Sequence, residues 1–121
     1  MKYQVGDLVK YNKKVYRISC VNEKYRLPYV IENEFENHFA RGNNLIPIEL
    51  TTKLLKLNGF KFVEESINYS YWSQECFSRL VLSNAFKITY DGLISCCYVH
   101  ELQQMARLIG SEEFADNFKT K

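Results

Sequence analysis

The first thirty residues constrain the fold of this chain more than any other stretch. Every other residue is apolar over residues 9–11 and again over residues 16–18, which is the period of a β-strand that buries one face. Asn12 and Lys13, between the two segments, form a turn signal. This pattern predicts a tight hairpin, rich in lysine and tyrosine, at the start of a small β-barrel.

Two more short strands are predicted after the hairpin. Residues 29–31 and 45–46 are apolar, and the stretch 32–44 between them is polar. Short strands joined by polar turns within about 50 residues are typical of a small curled barrel. We therefore predict an SH3-like barrel over residues 1–50.

The remaining residues, 51–121, predict a second, α+β subdomain. Pro47 marks the connector, because the residue before a proline is pushed out of the helical region. Thr51 carries a hydroxyl that can accept a hydrogen bond in the first turn of a helix, and Asn58-Gly59 supplies a left-handed stop. A short helix is expected between them.

An antiparallel sheet is predicted to follow this helix. Strand-like segments recur over residues 60–90, and Asp91-Gly92 accepts the positive φ angles of a two-residue type I′ turn. In the register set by that turn, alternate residues of the two flanking strands share one face. They are Phe86, Ile88, Tyr90, Leu93, Ser95 and Cys97.

The last strong pattern is an amphipathic helix over residues 98–109, ended by Gly110. Its apolar stripe consists of Val99, Leu102, Met105, Ala106 and Ile109, and its polar side of His100, Glu101, Gln103, Gln104 and Arg107. A final turn carries Phe114 and Phe118, and residues 119–121 are expected to fray. The whole chain is therefore predicted to be α+β, with the SH3-like barrel followed by an antiparallel sheet and a packed C-terminal helix.

The composition is that of a folded protein outside the membrane. Hydrophobic residues make up 46% of the chain, and nine Tyr and eight Phe stand against two Pro, which argues against disorder. Apolar runs such as residues 80–82 are far shorter than the roughly 20 residues of a membrane helix. Residues 1–7 lack the apolar stretch of a secretory signal. We expect a cytoplasmic location and no membrane partner.

The four cysteines, Cys20, Cys76, Cys96 and Cys97, lie in apolar, strand-like surroundings. Because free cysteine is among the most buried residue types, we expect reduced, buried thiols rather than disulfides. A thiol enzyme would need a thiolate beside a base, for which the last three cysteines with His100 are the candidate set. No nearby Lys or Arg would lower a thiol pKa there, so buried cysteines and a surface histidine explain the same residues.

No cofactor or metal site is expected. Cys96, Cys97 and His100 cluster in sequence but lack the paired short spacing of zinc ligands. The adjacent acids at 64–65 and 112–113 diverge on a strand or a helix, which favours solvated faces over an acid–base pair. The five glycines are scattered and form no phosphate-binding loop.

Positive charge is concentrated at the front of the chain. Residues 1–28 hold seven Lys and Arg against two acids, whereas residues 61–121 hold six against eight, although the net charge is only +2. Basic side chains interleaved with tyrosines combine phosphate neutralisation with flat stacking surfaces. The candidate nucleic-acid-binding residues are Lys10, Lys13, Lys14, Arg17, Lys24, Arg26 and Tyr25. The alternative is that the tyrosines pack in the core and the lysines only solubilise the hairpin.

A second candidate surface is the segment 66–73, which mixes large amphipathic rings with small polar residues. Such a composition is typical of protein contact surfaces. Its candidate protein-binding residues are Tyr69, Tyr71 and Trp72, although packing of Tyr71 or Trp72 against the last helix is an alternative.

Three stretches of the chain together resemble a known group of proteins. They are residues 5–18, residues 46–60 with Ile46-Pro47-Ile48-Glu49-Leu50-Thr51 and Asn58-Gly59-Phe60, and residues 98–104 with Tyr98-Val99-His100-Glu101-Leu102-Gln103-Gln104. In that order they look like small uncharacterised proteins of Bacteroidota prophages and mobile elements. The chain departs from that pattern at Asn12-Lys13, where those proteins tend to have Asn-Gly, and in the insertion 32–44.

The resemblance implies a bacterial host cell and a phage or mobile-element setting. The hypothesis we favour is a non-catalytic interaction protein that binds a host or viral protein. The alternatives are a nucleic-acid-binding module that uses the basic hairpin and, third, a thiol-dependent enzyme.

Overall fold

The computed structural model describes residues 2–65, 69–74, 77–83, 88–90 and 94–121, and the side chains of residues 2–62, 72 and 96–121. The chain forms two compact units, Met1–Ile48 and Glu49–Lys121. Each unit contains a five-stranded antiparallel sheet, and the second also contains α-helices. The predicted α+β class is confirmed.

The first sheet consists of a four-stranded meander and a short fifth strand that pairs with the first strand. The strands are β1 (Leu8–Tyr11), β2 (Lys14–Val21), β3 (Tyr29–Glu32), β4 (Asn37–Ala40) and β5 (Ile46–Pro47). Their order in the sheet is β4-β3-β2-β1-β5. A single turn of 3₁₀ helix, Gly42–Asn44, precedes β5.

The predicted hairpin is confirmed, and its turn has an unusual backbone. Tyr11 pairs with Lys14, so Asn12 and Lys13 form a two-residue connection. Both have positive φ, 49° and 66°, as a type I′ turn requires. Asparagine tolerates this conformation, whereas in lysine the Cβ meets the neighbouring carbonyl.

Alternation along the strands places one face of the first sheet in a core. Its buried members are Val9, Tyr16, Ile18, Ile31, Ala40 and Leu45, with Tyr3, Tyr11, Val21 and Tyr29 packed against them. The core interpretation of Tyr16 therefore holds, because this ring is buried. The lysines alternate with these residues and remain exposed.

Sequence reasoning missed β4, which lies inside the stretch predicted to be a polar connection. Asn33 begins a turn in which its Oδ1 accepts hydrogen bonds from the N–H groups of Phe35 and Glu36, and β4 then pairs with β3. Among the described residues no pairing joins β4 to β5. The sheet is open at these two edges, so the closed barrel of the prediction is not observed.

The second unit begins with the predicted short helix, α1 (Thr52–Leu57). The Thr51 hydroxyl oxygen accepts a hydrogen bond from the Leu54 N–H at 3.2 Å, which satisfies one of the free donors of the first turn. Gly59, with φ of 85°, ends the helix in the left-handed region. Both predicted helix signals are confirmed.

The second sheet has the strands β6 (Lys61–Glu65), β7 (Tyr69–Gln74), β8 (Phe77–Ser83), β9 (Ile88–Tyr90) and β10 (Ile94–Cys96), in the order β10-β9-β8-β7-β6. Tyr90 pairs with Ile94, and Ile88 with Cys96. The predicted two-residue register, in which Tyr90 would pair with Leu93, is wrong by one residue. The predicted turn itself, Asp91-Gly92, and Phe86 lie outside the described residues.

Two helices complete the second unit, α2 (Val99–Leu108) and α3 (Glu112–Asp116). Glu101 Oε1 accepts hydrogen bonds from the N–H groups of Cys97 and Tyr98 at the start of α2. The helix packs against β10, where the Cys96 thiol lies 3.9 Å from the Met105 sulfur. No helix of the described residues is both long and apolar enough to cross a bilayer.

The predicted polar side of α2 is partly wrong. His100, Gln103 and Gln104 are buried together with four residues of the predicted apolar stripe, Val99, Leu102, Met105 and Ala106. The fifth, Ile109, is exposed, so this part of the predicted stripe is wrong. Gln103 is buried because α3 folds back over this side, and its Nε2 donates to the Ala115 carbonyl at 3.0 Å. A pattern within one helix cannot show that a second helix covers its polar side.

The chain end is held rather than frayed. The Asn58 side chain donates from Nδ2 to the Lys119 carbonyl at 2.8 Å and accepts from the Lys119 N–H at 2.7 Å. The end of α1 thus holds the backbone at Lys119, which corrects the expectation of fraying for this residue.

The Asn12-Lys13 turn gives a direct test of the hairpin. Replacing Lys13 by glycine removes the left-handed Cβ penalty, which exceeds the entropy that glycine costs. We expect Lys13→Gly to raise the free energy of unfolding by roughly 0.5–1 kcal/mol, measured by urea denaturation. The control Lys10→Gly, at a strand position, should lower it, and a loss of stability in Lys13→Gly would contradict the turn assignment.

Candidate nucleic-acid interface

The predicted basic residues do not form one patch, because β2 carries them to opposite ends of the first sheet. Lys13 and Lys14 lie at its beginning, while Lys24 and Arg26 lie in the loop after its end. Eight residues of extended strand span roughly 23 Å. We refer to the end of the sheet that contains residues 12–14 and 32–36 as the turn end. The opposite end of the sheet, which contains residues 2–3, 22–28 and 41, is the loop end.

At the turn end, a glutamate pairs with one of the two lysines. Lys14 Nζ lies 3.3 Å from Glu36 Oε1, and the Tyr16 hydroxyl donates to the same oxygen. His38 Nε2 lies 3.4 Å from the other oxygen of Glu36. Over residues 12–14 and 32–36 the sequence has two lysines and three glutamates, so this end is slightly acidic.

Aromatic contacts hold this network in one geometry. The ring centroids of Tyr11 and Tyr16 are 5.9 Å apart, and that of His38 lies 5.4 Å from the first and 5.7 Å from the second. Edge-to-face and tilted rings at these distances attract one another beyond simple burial. Tyr11 and Tyr16 are therefore committed to packing and are not stacking platforms for a base.

The network shifts two pKa values in opposite directions. The hydrogen bond to Glu36 is the main reason that the pKa of Tyr16 rises to about 12, with burial adding to it. The hydrogen bonds from Tyr16 and then Lys14 lower the pKa of Glu36. At neutral pH the site therefore holds a carboxylate and a neutral phenol.

The loop end has a different construction. Asn22 closes the base of the β2–β3 loop, its N–H donating to the Pro28 carbonyl at 2.8 Å. Its side-chain oxygen accepts from the Lys24 N–H, and its carbonyl from the Tyr25 N–H, each at 3.2 Å. This turn leaves Lys24, Tyr25 and Arg26 exposed at the tip, where 68% of Tyr25 is accessible.

Two basic residues that sequence reasoning left out also lie at the loop end. Lys2 reaches the loop through an ion pair with Glu23, with Nζ and Oε1 3.1 Å apart. Arg41 follows β4 directly, and because Tyr29 pairs with Ala40, it lies beside the base of the loop. The sheet order is what brings Arg41 there, and a missed β4 hides it from sequence analysis.

The loop end is therefore the basic surface of the first unit. Its four cations, Lys2, Lys24, Arg26 and Arg41, stand against the single carboxylate of Glu23. The two ends are about two Debye lengths apart at 0.1 M salt, since that length is about 10 Å. The acidic turn end therefore does not cancel the positive potential of the loop end.

Neither of the other two predicted basic residues belongs to the loop end: Lys10 lies in β1 close to the turn, and Arg17 lies in the middle of β2. Lys10 is exposed in β1, opposite Val15. Arg17 is half-buried in β2, and its guanidinium donates to the Gly6 carbonyl at 2.8 Å. Arg17 therefore has a structural role within the sheet, and neither residue lies at the loop tip.

The second unit has a separate basic depression, which sequence analysis also missed. Lys53 and Lys56 of α1 line it together with Lys121. Leu54, Leu57 and Thr120 supply the rest of its wall. It has no exposed aromatic ring among these residues, so it lacks a stacking surface.

The structure places the predicted protein-binding residues in β7. Trp72 is only 5% exposed, and its ring packs edge-to-face on Phe62 with centroids 5.6 Å apart. Trp72 is thus a packing residue here. Tyr69 and Tyr71 belong to the same strand, but their side chains, like residues 66–68, lie outside the described part of the chain.

The described cysteines differ in how far they are exposed to solvent. Cys96 is buried, and this burial first, then Glu101 and Cys97, raises the pKa of its thiol to about 12. It is therefore protonated and a poor nucleophile at neutral pH. Cys20 is exposed, so the expectation that all four cysteines are buried is wrong for this residue. Cys76 lies outside the described residues.

The buried position of His100 also corrects its prediction as a surface residue. Its ring stacks on Tyr98 with centroids 5.8 Å apart. Over the described residues, no three or more His, Cys, Asp and Glu side chains are grouped so that they could hold a metal ion.

Comparison with known proteins gives no relative: no family model, no curated protein and no solved structure matches the chain. The functional interpretation therefore depends on the geometry described above.

The network at the turn end predicts a specific pH dependence. Because folding lowers the pKa of Glu36 from its usual 4.5, its contribution is present above pH 4.5 and is lost as the pH falls through the folded value. Folding raises the pKa of Tyr16 from 10.0 to about 12, so that contribution is lost as the pH rises through this range. Tyr16→Phe should be less stable than wild type at neutral pH, with the difference shrinking in acid.

Urea unfolding of both proteins at a series of pH values measures this difference. Tyr25→Phe removes an exposed hydroxyl and should follow wild type throughout. A gap between wild type and Tyr16→Phe that stays constant through the acid range would contradict the proposed Tyr16–Glu36 coupling.

Proposed function

We propose that this protein binds single-stranded nucleic acid through the loop end of its first sheet. The observation that carries the proposal is the exposed ring of Tyr25, held between Lys24 and Arg26 at the tip of a closed loop. Single strands are bound by basic surfaces that follow the backbone and by aromatic rings on which bases stack. The loop end combines both features.

The distribution of charge favours binding at the loop end over binding to a basic surface spread across the whole first sheet. Lys13 and Lys14 belong to the slightly acidic turn end, whereas Arg41 and Lys2 add to the loop end. A strand of nucleic acid therefore has one preferred end of the sheet to approach, since long-range positive potential steers anionic ligands.

The strand order also supports a more specific description of the first unit than the α+β class: we propose that residues 1–48 form an SH3-like barrel. The last strand returns to pair with the first, and a 3₁₀ turn precedes it. This order is that of a small five-stranded barrel opened between β4 and β5. The bacterial cytoplasm and the mobile-element setting that the resemblance implies stay predictions.

Binding of a fluorescein-labelled oligothymidylate, followed by anisotropy over a series of salt concentrations, tests the function. Each phosphate contact contributes about 0.7 to the slope of log affinity against log salt for a single strand. We expect Lys24→Gln/Arg26→Gln to weaken binding and to lower that slope by about 1.4. Tyr25→Ser should weaken binding by roughly 1–3 kcal/mol with an unchanged slope.

The matched control is Lys13→Gln/Lys53→Gln, which removes the same net charge from the turn end and from the basic depression. It should retain nearly the wild-type affinity. Equal losses in the two double variants would show unspecific attraction and contradict the assignment. Absence of binding by wild type at low salt would reject the function itself.

A second candidate function is binding of a host or viral protein, and one observation favours it. Phe35 is 90% exposed at the tip of the β3–β4 turn, flanked by Glu34 and Glu36. An exposed aromatic ring with an acidic rim fits a basic partner surface with an apolar pocket. In this alternative the turn end, and not Trp72, is the contact surface.

Affinity purification from a host lysate with wild type, Phe35→Ser and Tyr25→Ser tests the alternative. A partner that is retained by Tyr25→Ser, lost with Phe35→Ser, and bound directly once purified would support it. Identical recovery with wild type and Phe35→Ser would contradict a role of Phe35.

A further inference from the structure

The first sheet has two edges, and they differ in their ability to pair with another strand. β5 is two residues long and contains Pro47, which has no N–H to donate. β4 has four residues, Asn37-His38-Phe39-Ala40, with neither proline nor a fully charged side chain. Charges and prolines are the usual protection of edge strands, and β4 has none of them.

The backbone groups that β4 leaves available can be assigned from its pairing with β3. The Asn33 N–H donates to the Glu36 carbonyl across the turn, and hydrogen-bonded pairs alternate along antiparallel strands. His38 and Ala40 therefore direct their N–H and C=O groups toward β3. Asn37 and Phe39 direct theirs outward, and the extended backbone of Arg41 continues this alternation.

The side chain at the centre of this edge is apolar and exposed. Phe39 is 67% accessible, and across the sheet it pairs with Val30, which pairs with Cys20. These three positions form a row on the outer face of the sheet, and the row ends at the β4 edge. An aromatic ring on an open edge strand is a site for association with another strand.

We propose that two copies of this protein pair through β4 as an antiparallel, two-fold symmetric dimer centred on Phe39. A two-fold axis perpendicular to the sheet places Phe39 opposite Phe39 of the second copy, and Asn37 opposite Arg41. Both Phe39 residues offer outward N–H and C=O groups, so they form a mutual hydrogen-bonded pair. Each Arg41 N–H then donates to the Asn37 carbonyl of the second copy.

Self-pairing fits this edge because the register is complementary to itself. The two Phe39 rings become cross-strand neighbours, an arrangement that stabilises antiparallel pairs. Asn37 and Arg41 are a neutral acceptor and a cation, so the symmetric pairing brings no like charges opposite one another. The contact is small compared with the interface of a permanent dimer, and we therefore expect a dimer that dissociates on dilution.

Sedimentation equilibrium over a range of protein concentrations measures the association. Wild type should pass from monomer to dimer as concentration rises. Phe39→Glu places two carboxylates opposite each other and should remain monomeric, as should Phe39→Lys. An equal mixture of these two variants should form a heterodimer, because only this register brings the two positions together.

The matched control is Ile46→Glu, which introduces the same charge at an exposed apolar residue of the β5 edge. It should dimerise like wild type. Hydrogen exchange adds a backbone readout: the amides of Phe39 and Arg41 should become protected as concentration rises, while those of His38 and Ala40 are protected throughout.

A monomeric wild type at every concentration would overturn the proposal. Dimerisation of Phe39→Glu, loss of the dimer in Ile46→Glu, or failure of the mixed variants to associate would overturn the assigned edge and register. The association involves neither Lys24, Tyr25 nor Arg26, so failure of the nucleic-acid proposal leaves it unaffected.

Discussion

The register of β2 is the constraint on which the first unit depends. The two-residue turn at Asn12 and Lys13 sets the pairing of β1 with β2, and a shift by one residue would turn every side chain to the opposite face. In the observed register Tyr16 and Ile18 enter the core, and Arg17 faces away from it. The length of β2 then determines how far apart its two ends, and the charges they carry, are placed.

The elements with local signals were predictable from the sequence. Thr51 and Gly59 mark both ends of α1, and the spacing of Val99, Leu102 and Met105 marks α2. These signals act within a few residues and do not depend on the rest of the fold. The hairpin is predictable for the same reason.

The errors concern contacts between segments that are distant in sequence. β4 has only one strongly apolar residue, Phe39, and it is recognisable as a strand only through its pairing with β3. Gln103 appears polar and exposed until α3 covers it. In the second sheet Tyr90 pairs with Ile94 and not with Leu93. A dipeptide signal alone does not specify this register.

The candidate site shows the same limit, since the sequence supplied its residue types but not their grouping. Six basic residues interleaved with tyrosines suggested one surface, yet Tyr16 and Lys14 are engaged with Glu36 while Arg41 belongs with Lys24. The amino-acid composition is the same whatever fold the chain adopts, whereas the electrostatic potential depends on the distances between the charged side chains. A separation of roughly 23 Å along β2 is enough to divide one basic stretch into two surfaces, of which only the loop end keeps a clear excess of positive charge.

Arg41 connects the two proposals without making one depend on the other. Strand pairing uses its backbone N–H, whereas a phosphate would be attracted by its guanidinium. Antiparallel pairing also places the loop end of one copy beside the turn end of the other, so each dimer alternates basic and slightly acidic surfaces along its new sheet. The two loop ends then lie on opposite sides of the two-fold axis, so a dimer of this kind presents two basic surfaces to nucleic acid rather than one.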